Sequence, residues 1–522
     1  MLAPRVYLAG LSGAGKTTVA ELIGRWLGVP WGDVDGEVER AARRSIAEIW
    51  AAEGENAFRA LERAAVERLT SGAGAAILAL GGGTLDDPVN RERLARWGVG
   101  VHLDGPVEKL ALRTADRPGT RPLLDGGEPV AVLEELAARR ATSFAGLAHR
   151  IETTGRTVEG VAVEVWRRLG TDDPHEIATG VWLGRGLLAH AGRLLAERRP
   201  QAARGEVVVA TDDRVWELHG DALAAGLAGA GWTAVPCALP AGEAAKSTAG
   251  LERIWRALRD RGADRDTPAA VLGGGAAGDV GGLAAATFKR GIPLTLFPTT
   301  LLAQVDAAIG GKNAIDLDGV KNVIGTFHPP LLVGIDPLCL LTLPDGDWRS
   351  GWVEILKAGL IGDPELLELC EREVEAIGAR RLDIVEEALE RSVRVKLAVV
   401  EEDPREGGRR RVLNLGHTLG HAVETAGKGR WTHGEAVAIG LVAEARMGEL
   451  AGITESGLAD RIEAALEGLG LPVRASEELD PQDLLAAMRH DKKRAGGKLH
   501  VALPARPGEV EIVVMDEREL GL

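Results

Sequence analysis

The stretch V-Y-L-A-G-L-S-G-A-G-K-T, Val6 to Thr17, restricts the possible folds more than any other part of the chain. A short apolar run, Val6–Ala9, enters a glycine-rich loop, and a helical pattern follows at once. In that pattern Val19, Leu22, Ile23, Trp26 and Leu27 recur at helical spacing, and Gly28 can end the helix. Glycines let successive backbone N–H groups curl round an anion, and the helix N-terminus adds a favourable dipole. Strand, loop and helix in this order predict a phosphate-binding loop on a parallel sheet flanked by helices. Its nucleotide-binding candidates are Gly13, Ala14, Gly15, Lys16, Thr17 and Thr18. Lys16 neutralises phosphate charge, and the Thr17 hydroxyl suits Mg²⁺.

The chain is too long for one ordinary core. Ala75–Leu80 and Val99–Leu103 read as further buried strands, and the polar G-T-D-D-P break at 170–174 marks a boundary. A second α/β pattern follows, with strands expected at Glu206–Ala210, Thr233–Leu239, Ala269–Leu272 and Leu294–Pro298. Beyond about 345 the pattern is helical almost throughout, closing on strand-like segments Leu499–Leu503 and Val510–Met515. The predicted division is an α/β domain over 1–170, a linker over 171–177, a second α/β domain over 178–344 and a mostly α-helical domain over 345–522. A net charge of −15 argues against nucleic acid or an acidic membrane as partner, so an anionic substrate must meet locally clustered Lys and Arg. Cys237, Cys339 and Cys370 are few and far apart, as in a reducing compartment. No apolar run reaches the length of a membrane span, and the N-terminus lacks signal-peptide character, so a cytoplasmic location is expected.

The first domain carries several more polar signals. D-V-D ends the second strand-like segment, with Asp33 and Asp35 on one side of an extended chain, one to serve the metal and the other a substrate hydroxyl. Arg59 follows in E-N-A-F-R, Gly81-Gly82-Gly83 ends a strand, R-P-L-L begins at Arg121 in a Pro/Gly-rich lid-like segment, and Arg140 lies on the next helix. Together these suit a small carboxylate-bearing polyol and a transferring phosphoryl group. The set resembles shikimate kinase over nearly all of 1–170. That resemblance implies ATP and Mg²⁺ on Lys16 and Thr17, with Asp33 helping to hold the metal and Arg113 near the adenine. It implies shikimate on Asp35, Arg59, Gly81, Gly82, Gly83 and Arg140, and Arg121 closing on the phosphates. Lys16, Asp35 and Arg121 would be catalytic. One departure is A-T-S-F, Ala141 to Phe144, where the family often has A-P-L-Y.

In the second half, N-L-G-H-T-L-G-H-A-V-E, Asn414 to Glu424, precedes H-G-E at His433. Three of the chain's 11 histidines gather here, and His417 and His421 share a helix face. Such residues can be core or caps, but three beside glycines and carboxylates point to metal or catalysis. A metal site with three protein ligands and an open position needs a carboxylate, and W-V-E-I-L-K offers Glu354, with Lys357 on the same face. Upstream, Ala269–Leu272 enters G-G-G-A-A-G-D, Gly273 to Asp279, a strand–loop–helix suited to a dinucleotide pyrophosphate. Asp306, Lys312, Lys321, Asn322, Lys396, Arg410, Asn414 and the D-K-K of Asp491 to Lys493 add the polar and basic groups that a phosphorylated acid needs.

These motifs, together with P-T-T-L-L-A-Q-V-D at Pro298 to Asp306, resemble 3-dehydroquinate synthase across about 180–515. The resemblance implies Glu354, His417 and His433 as ligands of Zn²⁺ or Co²⁺, with His421 turned to the substrate side. It implies NAD held by Asp212, Glu243, Lys246, Gly274, Gly275, Asp279, Thr299 and Thr300, with Asp306, Lys312 and Lys321 alongside. Substrate would meet Asp306, Lys312, Asn322, Lys357, Lys396, Arg410, Asn414, His421 and Lys492 or Lys493. Arg290 would reach phosphate across a homodimer interface formed by the synthase part. Lys312, Lys357 and His421 would be catalytic. The whole is thus expected to be a fusion acting in chorismate and aromatic amino-acid biosynthesis on shikimate, ATP and a heptulosonate phosphate. A related sugar-phosphate cyclase or metal polyol dehydrogenase in the second half, and a non-catalytic nucleotide-binding module in the first, are the rival readings.

Overall fold

The computed structural model describes residues 5–71, 76–114, 128–170, 172–201, 204–475 and 499–515. The chain divides into two compact units, the first Met1–Thr171 with Ala379–Leu382 and the second Asp172–Gly378 with Asp383–Leu522.

In the first unit, strands β1 (Val6–Ala9), β2 (Trp31–Asp33), β3 (Ile77–Ala79), β4 (Val99–Asp104) and β5 (His149–Glu152) form one parallel sheet, in the order β2-β3-β1-β4-β5. Its central strands are buried on both faces, which is why they read as apolar runs. The helix Lys16–Leu27 buries Val19, Leu22, Ile23 and Trp26 and ends at Gly28, whose φ of 63° is left-handed. The order places the connections from β1 and β4 on opposite sides, so the loop after β1 opens at the carboxyl edge where ligands settle in such sheets. The D-V-D segment differs from expectation. Asp33 ends β2 and caps the helix Val34–Ala42, and Asp35 lies in that helix's first turn rather than on extended chain. The cap explains the difference, because a carboxylate accepting from the N–H three residues on starts a helix there.

In the second unit a seven-stranded sheet runs β6 (His175–Ala178), β7 (Val181–Leu183), β14 (Leu332–Ile335), β11 (Leu294–Pro298), β10 (Ala269–Gly273), β8 (Glu206–Asp212) and β9 (Thr233–Leu239) in space. Its pairings are parallel except β6 on β7. The order reverses between β8 and β10, which makes a crevice at their carboxyl ends. A hairpin of β12 (Lys312–Leu317) and β13 (Val320–Phe327) stands apart from this sheet. Then come the helices Asp345–Ile361, Pro364–Arg372, Leu382–Glu402, His417–Ala426, His433–Leu450 and Leu458–Gly468, and a closing hairpin of β15 (Leu499–Arg506) and β16 (Glu509–Met515). Residues 476–498, part of the stretch expected to be helical, lie outside the described residues.

The Asp345–Ile361 helix is buried on all sides from Ser350 onward, so it forms a core element and not a surface one. The His417–Ala426 helix packs closely on the His433–Leu450 helix. A Cβ on Gly440 would fall 2.0 Å from the Gly416 carbonyl oxygen, so the two backbones approach too near for any other residue. Among the described residues no helix is long and apolar enough to cross a membrane.

Candidate functional site

The first unit gathers its polar candidates at the carboxyl edge of the sheet. Gly15 adopts φ 86° and no side chain caps the helix that Lys16 opens, so its first N–H groups suit an anion. The Lys16 ammonium donates to the carbonyls of Gly10 and Leu11, both at 3.0 Å. Thr17 donates its hydroxyl to Asp33 at 2.5 Å, so the two groups suited to Mg²⁺ are already adjacent. Arg113 bonds Thr153 at 3.2 Å and lies beside the Gly13 carbonyl. A Cβ on Gly81 would fall 2.3 Å from an Asp35 carboxylate oxygen, and one on Gly83 would fall 2.6 Å from Arg59 Nη2 and 3.0 Å from Arg140 Nη2. Asp35, Arg59, Arg140 and the glycine loop therefore form one cradle. Arg140 is 2% exposed; its Nε donates to Asp86 at 3.1 Å, but its buried Nη2 has no hydrogen-bond partner among the described residues. A buried donor without a partner costs about 1–3 kcal/mol, unless a ligand carboxylate satisfies it. Arg121 lies outside the described residues.

In the second unit, ligand atoms of Glu354, His417 and His433 lie within 4.8 Å of one another. Glu354 comes from the buried Asp345–Ile361 helix, His417 from the first position of its helix after left-handed Gly416, and His433 from the first position of the next. The Glu435 of H-G-E is a cap: its carboxylate accepts from the Thr432 N–H at 2.8 Å while Thr432 accepts from the Glu435 N–H at 3.3 Å. Glu354 Oε2 pairs with the buried Lys357 ammonium, which also donates to the Leu413 carbonyl at 2.8 Å. Glu354 Oε1 is buried with no hydrogen-bond partner among the described residues and lies 3.8 Å from His417 Nε2. Burial, then the Lys357 charge and the neighbouring imidazoles, hold the His417 pKa well below its ordinary value, so it is neutral, the form that ligates metal. Burial alone would lower His433 too, but its hydrogen bond to Glu424 and the Glu354 charge raise it. His421 is exposed, its ring centroid 5.2 Å from that of His417. An orphaned buried carboxylate oxygen facing two imidazoles fits a divalent cation of the Zn²⁺ class.

The crevice between β8 and β10 has the features of a dinucleotide site. Gly274 starts the Gly275–Thr287 helix without a side-chain cap, and Gly273, Gly274, Gly275, Gly278, Pro298 and Ala307 line a small open pocket. A Cβ on Gly274 would come within 3.0 Å of Thr300, so glycine keeps that mouth open. Asp212 caps the turn after β8. Lys246 is buried and pairs with Asp279 at 2.8 Å and with Asn322, while Glu243 is exposed 3.8 Å away. Burial raises the Asp279 pKa despite Lys246. Thr299 donates its N–H to the Gly273 carbonyl. Asp306 pairs with Lys396; burial opposes its ionisation, but the charges of Lys396 and Lys357 hold it well below the usual carboxylate range. Arg410 is 1% exposed and bonds the carbonyls of Pro404 and Gly310 at 2.8 and 3.2 Å. Lys312 is exposed and pairs with Glu406 at 2.6 Å; Asn414 and Arg290 are exposed, and Lys492 lies outside the described residues.

Residues 236–350 and 351–494 match the N- and C-terminal models of 3-dehydroquinate synthase. The 3-dehydroquinate synthase of Symbiobacterium thermophilum is 42% identical over 333 residues, 64% of this chain and 92% of that protein.

The chain belongs to the 3-dehydroquinate synthase family.

The synthase of Prochlorococcus marinus (strain MIT 9313) is likewise 42% identical, over 65% of this chain and 90% of its own length. Ahead of the synthase part, residues 12–170 match the shikimate kinase model, and the first unit is a shikimate kinase domain. Among solved structures, 2-epi-5-epi-valiolone synthase of Streptomyces hygroscopicus, with NAD+ and Zn2+ bound, is 30% identical with a TM-score of 0.60, over 67% of this chain and 96% of that one. A 2-deoxy-scyllo-inosose synthase with NAD+ and Co2+ shares the fold at 23% identity and a TM-score of 0.60. Two buried or half-buried acids of the synthase part, Glu424 and Glu444, escaped the residue-type reading. Glu424 closes the histidine motif and contacts His433. Glu444 is fully buried and accepts the N–H groups of Gly416 and Leu419 at the start of the His417 helix. Only the i, i+3 step from His421 to Glu424 could have signalled either in the sequence.

Proposed function

We propose that the chain is a bifunctional enzyme. Its first unit phosphorylates shikimate with ATP and Mg²⁺, and its second converts 3-deoxy-D-arabino-heptulosonate 7-phosphate to 3-dehydroquinate with release of phosphate. The observation that carries the synthase reading is the buried Glu354 oxygen, without a hydrogen-bond partner among the described residues, facing His417 and His433. When bound, NAD would accept and return a hydride, and the cation on Glu354, His417 and His433 would polarise the oxygen at that carbon. Gly274, Gly275, Asp279, Asp212, Glu243, Lys246, Thr299, Thr300 and Lys321 hold the dinucleotide in this reading. Asp306, Lys312, Asn322, Lys357, Lys396, Arg410, Asn414, His421 and Lys492 hold the substrate's carboxylate, hydroxyls and phosphate and fix the reactive conformer. This reading divides the synthase part at 344, with the dinucleotide site before it and the metal site after it.

In the kinase unit Lys16 and the bare helix N-terminus bind the phosphates, Thr17 and Asp33 hold Mg²⁺, and Asp35 receives the shikimate hydroxyl proton. Arg140, whose buried Nη2 lacks a partner, and Arg59 take the shikimate carboxylate. Arg113 lies by the base, and Arg121 closes on the phosphates. We further propose a cytoplasmic homodimer joined through the synthase part, with Arg290 reaching a neighbouring site. The apolar Val323, Ile324 and Phe327 exposed on β13 support a covered surface there. A sugar-phosphate cyclase of the valiolone type is the second reading; the higher identity to the dehydroquinate synthases, 42% against 30%, favours the first. Phosphate release from the heptulosonate phosphate, dependent on NAD and abolished by a chelator, tests the synthase. Failure to phosphorylate shikimate with ATP and Mg²⁺ refutes the kinase.

A further inference from the structure

Glu424 stands between two groups from separate elements. One carboxylate oxygen accepts from the Lys321 ammonium of β13 at 2.5 Å, and the other faces His433 Nδ1 at 3.3 Å. Glu424 is absent from the Glu354, His417 and His433 set, yet it bonds one of that set's members. An imidazole has two nitrogens, and the one engaged by a carboxylate cannot also hold a cation. A carboxylate on the far nitrogen fixes the tautomer and plane of a ligating histidine and raises the basicity of the ligating nitrogen.

We propose that Glu424 is the positioning residue of the metal ligand His433, and that Lys321 ties this pair to the β12–β13 hairpin. The proposal rests on the reading that Glu354, His417 and His433 hold the cation. His421, Glu424 and His433 are also close enough to hold an ion themselves. In that use a second cation would join the Lys321 ammonium already held by Glu424, and like charge disfavours it, so the geometry favours the positioning role. The link has a consequence for assembly of the site. Lys321 pairs with Glu424 on the same hairpin whose Asn322 pairs with Lys246 in the dinucleotide crevice, so the hairpin touches the surroundings of both cofactors.

The test is the zinc affinity of full-length apo-protein, read by competition with a chromophoric chelator, for wild type, E424A, E424Q and K321M. Circular dichroism checks that each variant is folded. E424A should loosen zinc about 10–100-fold. E424Q keeps an oxygen that accepts from Nδ1–H, and should recover part of that loss. K321M should loosen zinc less than E424A does. Zinc binding by E424A as tight as by wild type overturns the proposal. So does a wild type that takes two zinc ions per chain where folded E424A takes one, since Glu424 would then be a ligand. If E354Q holds zinc as tightly as wild type, the metal-site reading itself fails, and the proposal with it. E424Q, the smaller change, keeps the test decisive if E424A does not fold.

Discussion

Replacing Glu354 with Gln removes one charge from a pair in which both members are almost wholly buried, at 4% exposure for Glu354 and 3% for Lys357. Size and shape are kept, so no cavity forms. The Lys357 ammonium keeps the Leu413 carbonyl but loses its neighbouring negative charge. Removing one member of a buried ion pair costs about 3–5 kcal/mol, because the other charge stays desolvated. Unfolding entropy is about 2.1 cal/mol/K per residue, so for a unit running from Asp172 to the C-terminus this cost corresponds to a fall of about 4–7 °C in melting temperature. The assay is thermal unfolding of E354Q and wild type with a chelator present, followed by the same scans in excess zinc. Wild type at a hundredfold excess over Kd should gain about 2.7 kcal/mol, and E354Q close to none. The double variant E354Q/K357M replaces both charges and should regain more than half of the loss without zinc. An E354Q protein melting within about 1 °C of wild type in chelator, or stabilised by zinc as wild type is, would refute the reasoning.

Lys16→Ala should cut shikimate phosphorylation at least about 100-fold and leave heptulosonate-phosphate turnover unchanged, as measured by coupled assays on one preparation. Gly274→Val places side-chain atoms against Thr300 at the mouth of the crevice, and should weaken NAD binding at least about tenfold by fluorescence titration while the circular dichroism spectrum is kept. Burial lifts the Glu444 pKa from an ordinary 4.5 to about 8, against the backbone N–H groups of Gly416, Leu419 and Thr418. The folded state therefore binds more protons than the unfolded one between those values, and stability falls as pH rises from about 4.5 to about 8. The urea midpoint of E444Q should be flatter than that of wild type over this window, and an unchanged slope would count against a protonated Glu444.

The phosphate loop, the G-G-G-A-A-G-D loop and the histidine motif were legible because each needs particular residue types close together in the chain. Glycines that must admit an anion, a Lys and Thr at a helix start, and histidines one turn apart are local requirements, and periodicity places them on strands and helices. Strands β10, β11 and the long helices follow from the same rule. Others were not legible: β5, β6, β7, β12, β13 and β14 are short, mixed in polarity or stabilised by partners distant in sequence. D-V-D was misjudged because two alternating carboxylates suit both an extended chain and a helix cap. The capping hydrogen bond from Gly36 settles that only once the chain is folded.

Sequence alone therefore determined which chemistry each half carries, since donor types and their local order are properties of the chain. Tertiary structure decided which groups act together. It brought Glu354 from one helix to His417 and His433 on two others, left one oxygen of that acid buried without a partner, and set Lys321 against Glu424. It also sorted the lysines: Lys357 and Lys246 are buried in ion pairs, while Lys312 pairs at the surface. The physical reason is that burial and pairing depend on elements far apart in the chain, and these fix charge, tautomer and metal affinity where composition and spacing cannot.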